Sequence, residues 1–394
     1  MIRKVLPGVA AAALVLVSAS ARGGEEPKRV EIRLPHKGDV FGEGGEWDRQ
    51  YAREALQIFR DLRPDPAWVA KLQALGDNTW MRVPAAGEQQ PEGGRSEVPL
   101  VYAPDIHAFV FCCGCTSPGY SSDTWVYHTG ANRWVQMWPN FIKGSAGASL
   151  NKGPRPQDRP WTRCSLGLAW DGERKLIVLH GGANGNDNTT WTWNPAANEW
   201  KAEAPPNAAP DRRGDNCVGF VPGFGVVEIV GGKGGPTWVY KPEAKKWENP
   251  ATQGSPPGGR NSKLVWAAKQ KRLIYWANEN DQLWAFDPAA LAWADISPKE
   301  GDKPKGFYRQ GMAYDSANDA VIMFGTKPEN NPNPGGPWVY SFATRTWQDM
   351  KTPGGPNPAG QGLPLCYDLE YNVVFMRGGW FYRCKSAPPA AANR

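Results

Sequence analysis

One phrase recurs five times along this chain and restricts the folds open to it. Residues 123–134 read DTWVYHTGANRW, 189–200 read TTWTWNPAANEW, 236–247 read PTWVYKPEAKKW, 282–293 read QLWAFDPAALAW and 337–347 read PWVYSFATRTW. Each copy is an alternating aromatic run, a tight turn and a second Trp. The paired tryptophans stand nine residues apart: Trp125 and Trp134, Trp191 and Trp200, Trp238 and Trp247, Trp284 and Trp293, Trp338 and Trp347. Alternation is the period of a strand, and a short turn before a second aromatic run predicts a hairpin. One hairpin cannot bury both of its faces, so a chain that repeats it five times stacks the copies on one another. The 45 Gly and 37 Pro among 394 residues supply the many turns this needs, and the 20 Trp supply large buried area per residue.

Two further short apolar runs precede each copy. They fall at 100–102 and 108–112, 167–170 and 176–180, 217–221 and 225–230, 264–266 and 272–276, and 311–314 and 320–324. Four strands in each stretch of roughly 40–50 residues is the size of a propeller blade. The last stretch has strands at 363–367, 372–376 and 380–383 and lacks a fourth, while a lone strand stands early at 78–83. Pairing the two closes a ring and removes two exposed sheet edges. The expectation is an all-β chain, a six-bladed β-propeller over 76–384 closed by an N-terminal strand. A short helical segment precedes it at 46–75, where Tyr51, Ala55, Ile58, Phe59 and Leu62 recur at helical spacing. Pro64 stops that run; Asp65 then reads as an N-cap with Pro66 at the first helical position. Residues 22–45 read as a linker and 385–394 as a disordered tail.

The N-terminus carries Arg3 and Lys4, an apolar run at 5–17, and Ala19-Ser20-Ala21 before Arg22. This is the pattern of a secretory signal peptide over 1–21, and it predicts a secreted or periplasmic protein. The apolar run is too short for a comfortable membrane span, and no other stretch is long enough. The formal charge of +6 falls to about +4 once Arg3 and Lys4 leave. Its Lys and Arg are scattered, which excludes the basic stripe of a nucleic-acid binder.

The Gly pairs Gly181-Gly182, Gly231-Gly232 and Gly378-Gly379, each closing an apolar run and followed by an aromatic strand and a second aromatic, resemble the kelch motif. The first, fourth and fifth units depart from it with Cys113-Gly114, Ala277-Asn278 and Gly325-Thr326. The resemblance covers residues 78–384 and implies a kelch propeller like the central domain of the galactose oxidase type. The copper-radical chemistry of that type needs two His, two Tyr and a Tyr-linked Cys. Tyr127-His128 matches its Tyr-His pair but sits at a repeat position shared with Tyr240-Lys241 and Phe286-Asp287. A scaffold role for the pair follows, and copper-radical oxidation is disfavoured. No metal and no cofactor is expected.

An Arg precedes the first strand of four units: Arg163, Arg213, Arg260 and Arg309. In a propeller the loops leading into the first strands gather at one mouth of the central channel. These four are therefore the expected ligand-binding residues, together with Trp161, Asn216 and Tyr308. A planar guanidinium grips a carboxylate or phosphate through two parallel hydrogen bonds. The expected partner is an unidentified protein or a small anionic or carbohydrate ligand. The alternative is an enzyme acting on a sugar or sugar acid; no complete catalytic set is recognisable, and Asp215, Glu228 and Glu279 are the carboxylates near the mouth. Among Cys112, Cys113, Cys115, Cys164, Cys217, Cys366 and Cys384, an oxidising compartment predicts a disulfide from Cys115 (or Cys113) to Cys164 between the first two units.

Overall fold

A computed structural model describes residues 42, 44–87, 89–91, 95, 98–115, 120–140, 157–182, 188–203, 210, 217–229, 236–259, 262–305, 308–326, 337–356 and 364–385, without the side chains of 308, 309 and 326. The expected signal peptide, most of the expected linker and residues 386–394 of the expected tail lie outside the described residues. Twenty-four strands form six antiparallel four-stranded sheets. Their first strands are Val101–Ala103, Gly167–Asp171, Cys217–Val221, Lys263–Ala267, Tyr308–Asp315 and Leu365–Asp368, of blades 1 to 6. Each neighbours the next around the axis, and the sixth returns to the first, so the ring is closed. Blade 6 takes its outermost strand, Thr79–Arg82, from the N-terminus, with Trp80 opposite Tyr382 in an antiparallel pair.

The repeated phrase forms the third and fourth strands of blades 1 to 5, and its second Trp performs a task visible only in three dimensions. The indole N–H of Trp200 in blade 2 donates to the Thr124 hydroxyl of blade 1 at 3.0 Å. Trp247 of blade 3 donates to Thr190 of blade 2 at 2.8 Å, and Trp293 of blade 4 to Thr237 of blade 3 at 2.8 Å. Each acceptor Thr immediately precedes the first Trp of the earlier blade. At the next seam that position is Leu283, and at the one after it is Pro337. The corresponding indoles, Trp347 and Trp80, have buried N–H groups with no partner among the described residues. There the blades meet through apolar clusters, Trp347 with Ile274 and Met323, Trp80 with Ile322 and Val374.

The turn before each of these tryptophans ends on a left-handed residue two positions earlier: Asn132, Asn198, Lys245, Leu291, Arg345 and Asn78, with φ from 49 to 56°. Asn tolerates that region because its side chain bonds locally, whereas Leu, Lys and Arg bear the steric cost. The three Asn are also acceptors, from the Tyr127 hydroxyl (2.6 Å), the Trp193 indole (3.0 Å) and the Tyr382 hydroxyl (3.1 Å).

Helices α1 (Gly45–Asp61) and α2 (Pro66–Gln73) lie across the outside of blades 6, 1 and 2. In α1, Tyr51 donates to Gln136 of blade 1 at 3.2 Å, and the Ala52 carbonyl accepts from Asn198 of blade 2 at 2.8 Å. Arg159 pairs with the buried Asp48 at 2.6 Å and stacks on Trp138. The Asp65 carboxylate caps α2 by accepting from the Ala67 and Trp68 amides. Trp68 then packs edge-on against Phe381 of blade 6 and donates to the Thr129 carbonyl of blade 1 at 2.7 Å. The helices brace the seam that the early strand closes.

Two substitutions test this reading of the wall. Thr237→Val leaves the buried Trp293 N–H unsatisfied and should cost about 1–3 kcal/mol in urea unfolding. Arg345→Gly relieves the left-handed, exposed Arg and should raise stability by about 1 kcal/mol in the same assay.

Candidate functional site

The six first strands enclose an axial cavity of about 550 Å³. Its wall is built in register. One layer is Leu100, Leu168, Val218, Leu264, Met312 and Leu365. Two residues further on, at the penultimate position of every first strand, stand Tyr102, Trp170, Phe220, Trp266, Tyr314 and Tyr367. Two further still, at the C-terminal mouth, come Pro104, Gly172, Pro222, Ala268, Ser316 and Leu369. Leu369 is 57% exposed, the most exposed large apolar side chain among the described residues. Near the N-terminal mouth the wall carries Ser165, Ser262 and Gln310, and Lys263 is the one charged residue among the described lining.

The aromatic layer was not anticipated from the sequence, although a signal for it exists. Five positions after each aromatic stands a residue with positive φ: His107, Lys175, Gly225, Lys271, Asp319 and Asn372. Where the aromatic is Tyr314 or Tyr367, that residue accepts its hydroxyl, Asp319 at 2.7 Å and Asn372 at 2.8 Å. The Tyr102 hydroxyl is instead buried near the Asp368 carboxyl, with no hydrogen-bond partner among the described residues. Burial, the largest cause in each case, pushes all three phenols above their ordinary range, so this layer stays uncharged at neutral pH. Burial likewise raises the Cys366 thiol in the wall to about 12 and lifts Asp368, behind Tyr102, above the usual carboxylate range.

Of the four arginines expected to form a ring, only Arg163 has its side chain among the described residues. Arg163 is fully buried; its Nε donates to the Trp161 carbonyl at 3.1 Å and its Nη1 to the Gly181 carbonyl at 3.0 Å. It ties the loop before blade 2 to the Gly pair, where a Cβ on Gly182 would lie 2.9 Å from the Cys164 carbonyl. Trp161 is buried at 3% exposure. Arg213, Arg260 and Asn216 lie outside the described residues, as do the side chains of Tyr308 and Arg309 in the first strand of blade 5.

Cys115 and Cys164 are thiols in the structure, with no disulfide between them. Their segments abut, because the Gly114 amide donates to the Arg163 carbonyl at 2.8 Å. A bulge between Cys112 and Gly114 places Cys113 at φ 62° and brings the Cys112 and Cys113 thiols into contact. Burial, then that contact, pushes the Cys112 thiol well up. Among the described residues no group of three or more His, Cys, Asp or Glu is placed to hold a metal ion.

Of the carboxylates named from sequence, Glu228 is fully buried and pairs with His180 at 2.6 Å, joining blades 2 and 3. The other ring nitrogen of His180 faces the Asn188 carbonyl at 3.1 Å, so both nitrogens face acceptors. The pair lies outside the channel lining and joins blades rather than facing a substrate. Glu279 is exposed, and Asp215 lies outside the described residues.

Fold and site together define a class, the six-bladed β-propeller with an apolar axial channel. No protein-family model matches the chain, and no curated protein matches it. Among the described residues, no helix is long and apolar enough to cross a membrane.

The buried pair makes a prediction of its own. Glu228→Leu strands His180 and should cost about 3–5 kcal/mol, and adding His180→Leu should recover most of it. Urea unfolding of the two variants checks this.

Proposed function

We propose that this protein is an exported kelch-type propeller that binds a small ligand in its axial channel and performs no chemistry of its own. The observation that carries the reading is the cavity itself. Its volume of about 550 Å³ lies within the 300–1,000 Å³ range of small-molecule pockets, and its lining is mostly apolar with a few polar groups at one end. The described lining holds no carboxylate and no His, which speaks against acid–base catalysis there. The kelch assignment rests on the repeated Gly pair, explained at blade 2 by the Arg163 and Cys164 contacts, and on the paired tryptophans. Export rests on the pattern at 1–21. In an oxidising compartment the abutting Cys115 and Cys164 segments are the pair expected to oxidise.

An acidic group on the ligand is the second reading. Lys263 favours it, with Arg213, Arg260 and Arg309 as the remaining arginines that the sequence brings to the same mouth. Arg163, spent on two carbonyls, is not among them.

Thermal-shift screening of neutral apolar molecules, aromatic carboxylates and sugar acids tests the reading, with Val265→Trp as a plug in the channel wall. Hits on the native chain that vanish in the plugged variant support channel binding. The absence of hits, or hits indifferent to the plug, overturns it. Non-reducing peptide mapping of the secreted protein should recover Cys115 joined to Cys164.

A further inference from the structure

The aromatic layer is not uniform around the axis. Tyr314, Tyr367 and Tyr102, on blades 5, 6 and 1, are buried at 9%, 8% and 7% exposure; the first two hydroxyls donate to Asp319 and Asn372, and the Tyr102 hydroxyl is buried near Asp368. Trp170, Phe220 and Trp266, on the consecutive blades 2, 3 and 4, remain half-buried. None of these three has a hydroxyl, and the position five residues on is Lys175, Gly225 or Lys271 rather than Asn or Asp. The repeat thus splits its own register into two arcs. One is tied into the turns. The other presents two indoles and a phenyl ring to the cavity, next to the apolar mouth of Pro222, Ala268 and Leu369.

An aromatic layer needed only to fill the space between blades would be buried equally at every blade. The half-buried arc also faces a cavity, while Phe220 and Trp266 keep contact with the clusters between blades. Its chemistry is narrow: ring faces and edges, with no charged side chain in the layer. Such surfaces favour flat, apolar ring systems, which stack or meet edge-on with their quadrupoles aligned. They offer little to a compact anion, which would lose hydration without matching hydrogen bonds. We propose that the Trp170–Phe220–Trp266 arc is a recognition site for a flat, uncharged aromatic or fused-ring group, admitted at the C-terminal mouth of the channel. This rests on the channel-binding reading above and adds the chemical class of the ligand and the residues that select it.

The test uses two soluble probes of similar apolar bulk, flat 2-naphthol and globular 1-adamantanol, titrated calorimetrically into the full secreted chain. The expected result is tighter binding of 2-naphthol, with roughly fivefold loss on Trp170→Leu or Trp266→Leu and little change for 1-adamantanol. Lys201→Ala, exposed on the outermost strand of blade 2, should leave both affinities unchanged. Phe220→Leu serves as the second arc variant should either Trp variant lose its native melting transition. Equal binding of both probes, abolished by Val265→Trp but indifferent to the arc variants, overturns the aromatic site and leaves channel binding standing. Binding of neither probe overturns both.

Discussion

Burial of a fourth-strand tryptophan against the preceding blade is the interaction on which the ring depends, and at three seams a threonine accepts its indole hydrogen bond. A four-stranded blade satisfies its own backbone but leaves two apolar faces open, and only neighbouring blades can cover them. Burying an indole there supplies the area, but its N–H then needs an acceptor, and a short hydroxyl from the next sheet is the one within reach. Trp200, Trp247 and Trp293 find Thr124, Thr190 and Thr237, which fixes each seam in register as well as filling it. Around blade 5 the acceptor position holds Leu283 or Pro337, and Trp347 and Trp80 rely on packing alone. The fourth-strand indoles therefore meet two kinds of seam: between blades 1 and 4 they are latched by hydrogen bonds, and on either side of blade 5 they pack among apolar side chains.

Closure follows from the same geometry. Trp80 occupies the fourth-strand position of blade 6, although it stands at the other end of the chain from the rest of that blade. Asn78 takes the left-handed position two residues before it, as Asn132 and Asn198 do in blades 1 and 2. The two helices that precede this strand hold its surroundings through Trp68 on Phe381 and Arg383 on the Leu72 carbonyl. The N-terminal strand and its helical brace act as one clasp.

Much of this was legible in the chain. The period-two aromatic runs and the nine-residue spacing announce the strands, and the missing fourth strand at the end matches the lone strand around Trp80. The site was less legible, for a physical reason. Loop residues such as Arg163 suggest ligands because their chemistry is conspicuous, yet a guanidinium is equally suited to gathering backbone carbonyls, and burial at Arg163 decides for the second use. The channel aromatics were hidden by the opposite effect. Each looks like one more apolar residue in a short strand, and only the alignment of six strands around an axis makes Tyr102, Trp170, Phe220, Trp266, Tyr314 and Tyr367 one layer. The division of labour is then plain: the repeated phrase builds the wall, and the strand before it lines the space.

That division is tested most directly by locating a heavy atom. Crystals of the protein soaked with a brominated naphthalene should show anomalous bromine density inside the axial channel, against Trp170, Phe220 or Trp266. Bromine density confined to the clefts between blades, beside Trp238, Trp284 or Trp338, would contradict the account by making the repeated phrase the binding surface and the channel mere structure.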